Sequence, residues 1–391
     1  MRRTALGLVL LLASCFPVPI RASQSEAPVS AEQVRAAIGQ LGTVEFQVRN
    51  AAASTVRRAL PEVAVPALLQ AVKSHADGYV RFRALVLLSG FNDPRTRDVM
   101  VQMLGDPNDR LRSVAYTWFE HNQDKTIVPR LLQAADKEES EFVRPALMRA
   151  LAAYGADPAV RPVMTTLVMR GQAFFRSVVI EALGDYRAAY AIKPITDVAV
   201  IDGPLQDDAA LALGKIGDKA SLPTLADLQR KAPRESQPAI AAAICLLGVN
   251  CASHQPYITR SLKFSIDNIG FQELLRGSAT ALAMLGASGR KEAVVELIQL
   301  GAPTRDPARA AIALALGTVA LRNPAVTLDV LEQRESLMAP AIELLREAFD
   351  MLEEDFEEER FFVTVRRAYW QAAEGSARRK AAERLIKALE F

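Results

Sequence analysis

The sequence predicts an all-α fold: an α-solenoid of about ten helical hairpins with a C-terminal helical cap. Two observations carry that prediction. The apolar content is aliphatic, and one helical block recurs about every 32 residues. Half of the 391 residues are hydrophobic while only 6% are aromatic, a balance that favours helices over strands. A chain of this length exceeds one compact core, leaving either several domains or an extended array. The charged share, 24%, is that of an ordinary folded protein. Lys and Arg number 47 against 45 Asp and Glu, and Arg2 with Arg3 supply the excess of +2. The charge-balanced remainder lacks the basic surface that general binding of nucleic acid or an anionic membrane requires.

Met1 to Thr4 is basic and Ala5 to Ala13 is an unbroken apolar run, the pattern of a secretory signal. The run is too short for a membrane-spanning helix. It ends in Leu12-Ala13-Ser14-Cys15, which resembles a bacterial lipobox. The resemblance implies that residues 1–15 are a signal peptide, that Cys15 is lipidated, and that the protein is an exported lipoprotein of the cell envelope facing the periplasm. The other reading is cleavage after Ala22, with Cys15 discarded. Pro17, Pro19, Pro28 and small polar residues make 16–30 a flexible tether.

From 31 to 350 one register repeats, anchored at Arg49, Arg81, Arg112, Arg144, Arg176, Gln206, Ile240, Ser278, Arg309 and Met338. The residues three and seven after each anchor carry no charge in any of the ten blocks. With the residue before the anchor they form one face of an amphipathic helix. Several blocks end in Leu-Gly, at Gly184, Gly214 and Gly317, and this Gly is read as the left-handed residue that stops the helix. Each intervening segment has room for another helix. Six of these segments carry a Pro near their start: Pro66, Pro129, Pro162, Pro194, Pro223 and Pro256. Proline is tolerated in a first turn. The unit is therefore helix, turn, helix.

These blocks, the proline of the first helix, and an acid ahead of the Arg (Glu45/Arg49, Asp77/Arg81, Asp109/Arg112, Glu141/Arg144, Asp306/Arg309) resemble the HEAT-repeat family, in particular its short phycobilin lyase-like form. The resemblance implies that Arg49, Arg81, Arg112, Arg144, Arg176 and Arg309 form a structural ladder between repeats, with the acid capping the second helix. The alternative for the stacked arginines is an anion-binding strip. Ile240, Ser278 and Met338 interrupt the ladder, and wider spacing around Lys263 to Phe271 marks an insertion. Its Phe264 and Phe271 either cover the joint between repeats or stand out as contact residues.

Residues 351–391 depart from the pattern. An acidic run from Glu353 to Glu359 precedes Phe361, Phe362, Val365, Tyr369 and Trp370, and a basic amphipathic helix runs from Ala377 to Leu389. This reads as a charged cap over the last apolar face of the stack; its acids match no calcium loop.

No nucleophile elbow, phosphate-binding loop or paired His is present. His75, His121 and His254 fall in different repeats and read as solvated turn residues. Neighbouring acids such as Asp207-Asp208 point apart on a helix. No catalytic residue, cofactor or metal site is therefore expected, and the chain does not read as an enzyme. With Cys15 lipidated, Cys245 and Cys251 remain, six apart around Gly248, either bridged or unpaired with Cys245 packed as a small hydrophobe. The expected function is a scaffold that binds other proteins in the cell envelope; the alternatives are a HEAT-type chromophore lyase-like enzyme and a HEAT-like nucleic-acid-binding protein. The family resemblance places the second helices on the concave face. There the candidate partner-binding groove is Phe82, Thr117, Arg149 and Glu181, unless those rows only pack against neighbouring helices.

Overall fold

The computed structural model describes residues 28–352 and 354–391, so the signal, Cys15 and most of the tether lie outside the described residues. Ten hairpins follow one another: α1 (Ala31–Gln40) with α2 (Phe46–Arg58), α3 (Pro61–Ser74) with α4 (Gly78–Ser89), α5 (Thr96–Met103) with α6 (Asp109–His121), α7 (Val128–Lys137) with α8 (Arg144–Ala153), and α9 (Val160–Met169) with α10 (Ala173–Asp185). Then come α11 (Ile192–Ala199) with α12 (Gln206–Ile216), α13 (Leu222–Lys231) with α14 (Gln237–Leu246), α15 (Cys251–Asp267) with α16 (Gln272–Ala287), α17 (Lys291–Gly301) with α18 (Ala308–Arg322), and α19 (Pro324–Gln333) with α20 (Met338–Leu352). Two further helices, α21 (Asp355–Gln371) and α22 (Ala377–Leu389), end the chain. No strand occurs among the described residues, and no single helix there is long and apolar enough to cross a membrane.

The residues three and seven after each anchor are all buried, from Ala52 and Val56 to Ala341 and Leu345. Their burial drives each second helix onto its partner. The anchor side chain has a consistent task in six hairpins. Arg49 donates to the carbonyls of Thr43 and Val44, Arg81 to Val72, Arg112 to Asp106 and Pro107, Arg176 to Val168, and Arg309 to Gly301 and Ala302. Gln206 does the same to Ala199. These carbonyls lie at or just past the end of the first helix, where α-helical partners run out. Three anchors also reach the next repeat: Arg81 to Asp106, Arg112 to Glu138 and Arg309 to Glu347. Arg144 instead lies over the Phe175 ring at 4.0 Å.

Several local expectations are corrected. Of the acids paired with the anchors, Asp77 caps its helix, whereas Asn108 caps α6 and Glu45 makes no side-chain cap. Pro66 and Pro256 stand inside α3 and α15, because each helix begins about a turn earlier. Gly184, Gly214 and Gly317 are interior residues of α10, α12 and α18. They allow neighbouring second helices to approach: a Cβ on Gly214 would lie 2.5 Å from the Ala243 Cα. The left-handed stop of α12 is Gly217, three residues further on, with φ 85°. Phe264 and Phe271 meet edge to face at 5.0 Å beneath Arg234 of the preceding hairpin, which covers that joint.

The second helices pack successively from α4 through α20 as a continuous inner layer. The layer curves until the end of the chain meets its beginning: Asn50 of α2 donates to the Glu390 carbonyl at 3.4 Å, 340 positions away. The cap therefore does more than cover α20. Phe361 and Val365 are buried against the end of the array, while the acidic face of α21 crosses the ring to α2, α4 and α6.

Candidate functional site

Curling encloses a cavity of about 1200 Å³ between the inner faces of the first four hairpins and the C-terminal helices. One wall carries Asn50, Phe82, Ser113, Thr117, Pro145 and Arg149, which are the residues one and five after the anchors in these hairpins. Further along the array the same two rows are closed by packing, with Leu211, Ala241, Cys245, Ala279 and Ala283 all buried. The expected groove thus lines a cavity in hairpins one to four, and the packed alternative describes hairpins six to eight. Of its four residues, Phe82, Thr117 and Arg149 line the cavity, though Phe82 is only 6% exposed. Glu181 is not among the lining residues, but it pairs at 3.0 Å with Arg322, which is.

Arg149 is already engaged. It joins Glu120 of α6, at 3.0 Å, to Asp185 of α10, also at 3.0 Å. Lys215 of α12 and Arg322 of α18 bind the same Asp185 at 2.8 and 2.9 Å. Burial works against ionising Asp185, but Lys215, Arg322 and Arg149 prevail and hold it well below the usual carboxylate range. The Tyr186 hydroxyl donates to Glu120 at 2.7 Å, and burial with this carboxylate raises its pKa. A charge ladder on the inner face therefore links hairpins three to six and crosses to hairpin nine.

The opposite wall is the cap. Arg57 donates to Glu359 at 2.7 Å, Arg83 pairs with Asp355, and His121 meets Glu357 at 2.8 Å. His121, expected as a solvated turn residue, also stacks on Phe356 and lies 2.9 Å from Arg360. Glu120, His121 and Glu357 place ligand atoms within 4.8 Å of one another. Arg149 and Arg360 already contact these groups, which supplies the charge a cation would bring. Asp207 and Asp208 point apart as expected, toward Ser236 and Ser177 on either side.

Two adjacent carboxyls of α21 are driven in opposite directions. Burial opposes ionisation of Glu357, but His121 and Arg360 hold it at about 2. At Glu358 burial dominates; Glu354 and Asp350 add to it, Arg83 and Arg57 oppose it, and the carboxyl is pushed up to about 7. A raised carboxyl pKa stabilises the fold fully below its unfolded value, about 4.3, and that contribution fades as pH rises through the folded value. The Glu357 contribution has the other sign and fades only as pH falls toward about 2. Hydrogen exchange in α21 is therefore expected to quicken between about pH 5 and pH 7.5 relative to α10, and Glu358→Gln is expected to remove much of that difference. An unaltered pH profile in Glu358→Gln refutes this role.

A curved inner layer, a cavity and a closing cap define the class: an α-solenoid built from HEAT-like helical hairpins. Residues 34–117 and 98–184 match the family model for HEAT repeats, and residues 205–230 match the PBS lyase HEAT-like repeat. No curated protein matches the sequence. Among solved structures the chain is similar to YibA of Escherichia coli, at 18% identity and TM-score 0.41 over 56% of this chain and 81% of that one. It is similar to the complex of CpcE and CpcF of phycocyanin lyase from Nostoc, at 19% identity and TM-score 0.35 over 67% of this chain and 98% of that one. It is also similar to yeast importin-beta, at 12% identity and TM-score 0.36 over 92% of this chain and 62% of that one.

Proposed function

We propose that this protein is an exported scaffold of the bacterial cell envelope, anchored through a lipid on Cys15, that binds other proteins in its concave cavity. The observation that carries the reading is the composition of the cavity wall. Guanidinium and carboxylate groups of both signs stand beside the rings of Phe46, Phe142 and Phe349. Phe46 and Phe142 are 60% and 57% exposed. Mixed charge with exposed aromatic rings suits a polypeptide, whereas a nucleic-acid groove needs an excess of cations.

Two substitutions that fill the cavity, Ser113→Arg with Thr117→Arg, are expected to abolish capture of partner proteins from membranes. A matched pair on the exposed face of α3, Glu62→Lys with Gln70→Lys, is expected to leave capture intact. The opposite pattern, at equal stability, would place the binding surface on the outer face. The anchor has its own test: Cys15→Ser is expected to block processing or release the protein from membranes. A soluble wild-type chain beginning at Ser23 overturns that part alone.

A further inference from the structure

Cys245 lies in the last turn of α14 and is 4% exposed; Cys251 is the first residue of α15 and is half-buried. The structure joins them as a disulfide, with Cα atoms 4.4 Å apart. Gly248 and Asn250, at φ 78° and 46°, give the left-handed turn that brings them together. A third group converges on the sulfurs. Arg290, just before α17, points its Nε at Cys251 Sγ, 3.1 Å away, and at Cys245 Sγ, 3.4 Å away. No carboxylate among the described residues forms an ion pair with Arg290. Disulfide sulfurs are neutral and weak acceptors, so the bridged form leaves this guanidinium without a counter-charge. A thiolate would supply one.

We infer that Cys245 and Cys251 form a reversible thiol–disulfide exchange site in which Cys251 is the attacking sulfur, held as a thiolate by Arg290. The co-reactant is a disulfide, either of a small molecule or of a thiol oxidoreductase. The Cys251 thiolate attacks one sulfur of it; that S–S bond breaks, a mixed disulfide forms and one thiolate departs. The Cys245 thiol then loses its proton and attacks Cys251, closing the bridge and expelling the second thiolate. Two electrons pass to the co-reactant, which leaves as two thiolates; the Cys245 proton goes to one of them, and the other takes from solvent the proton that Cys251 gave up on ionising. The reverse sequence reduces the bridge.

Three features favour the thiolate at Cys251 over Cys245: the closer guanidinium, the positive N-terminal end of the 17-residue helix α15, and access to solvent. Other charges nearby are already committed. On α15, burial lowers the pKa of His254, which therefore favours the neutral ring. On α17, Lys291 pairs with Asp329, Glu296 accepts from Gln255 and Thr259, and Glu292 is exposed. Helix α14 carries no charged residue, and on α16 Glu273 and Arg276 pair with each other in the opening turns.

The test is the rate at which iodoacetamide alkylates Cys251 in the Cys245→Ser chain as pH is varied. Cys251 is expected to titrate at least about one pH unit below the ordinary value of about 8.5. Arg290→Gln in the same background is expected to slow alkylation about tenfold at pH 7. An ordinary titration of Cys251, or indifference to Arg290→Gln, overturns the proposal. The same question is put to the wild-type chain, reduced with dithiothreitol and pulse-alkylated: Cys251 is expected to be modified about tenfold faster than Cys245. Equal labelling of the two sulfurs also overturns it.

Discussion

Replacing Glu359 with Ala is expected to lower stability by about 3–5 kcal/mol, the range for removing one partner of a buried ion pair. Glu359 is 1% exposed and holds two guanidinium groups, Arg57 at 2.7 Å and Arg366 at 3.1 Å. Arg57 is 5% exposed and lies over the Phe362 ring at 5.0 Å. Without the carboxylate, the buried Arg57 and the half-buried Arg366 both lose their ion-pair partner. The fold makes room for this carboxylate at Gly90, where a Cβ would come within 2.6 Å of Glu359 Oε1. Urea unfolding gives the loss, and hydrogen exchange shows where it falls, with α21 and α2 expected to open together. Arg57→Met with Glu359→Leu removes the buried pair, leaves only the half-buried Arg366 without its partner, and is expected to cost less than Glu359→Ala alone. A cost under about 1 kcal/mol for Glu359→Ala would mean that the pair behaves as an exposed one.

Gly214→Ala is expected to cost about 1–3 kcal/mol, toward the upper end of the range for overpacking. The added methyl meets backbone: the Ala243 Cα at 2.5 Å and the Ala243 carbonyl oxygen at 2.7 Å. Neither can turn aside as a side chain would, so α12 and α14 must separate and the curvature must change at that joint. Gly39→Ala is the control. It is also helical, has open space where its Cβ would go, and is expected to stabilise α1 by about 0.5–1 kcal/mol. Denaturation midpoints that moved in the same direction for both variants would contradict the close-approach account.

Much of the fold was legible because its signals are local. The uncharged residues three and seven after each anchor mark every second helix, and all of them are buried. The ladder arginines were legible as a repeating pattern, but their partners were only half legible. The ladder reading leads from each Arg to the neighbouring repeat, whereas the structure also sends it to carbonyls at the end of the preceding helix, which every residue type supplies. The Leu-Gly endings misled for a related reason. A Gly needed for its conformation and a Gly needed for its lack of a side chain look the same in one dimension, and the three concerned are of the second kind. The disulfide reading rested on a Gly between two nearby Cys, and the structure brings these two together. Arg290, 39 residues beyond Cys251, left no sign in that spacing.

The sequence by itself determined a stack of helical hairpins, their number, their inward faces and the change of character near residue 350, because each follows from contacts within one or two repeats. Only the tertiary structure decided that the stack closes on itself. The acidic run at the start of α21 reads as part of a charged cap over the last apolar face until Arg57, Arg83 and His121 appear opposite it, the first of these pairs spanning 302 positions. Nothing in the register predicts that meeting. It depends on the small rotations at successive joints summed over ten hairpins, and Gly184, Gly214 and Gly317 let the helices approach closely at three of them. Local periodicity fixes each step, and the end-to-end contact depends on the accumulated curvature, which no single repeat contains.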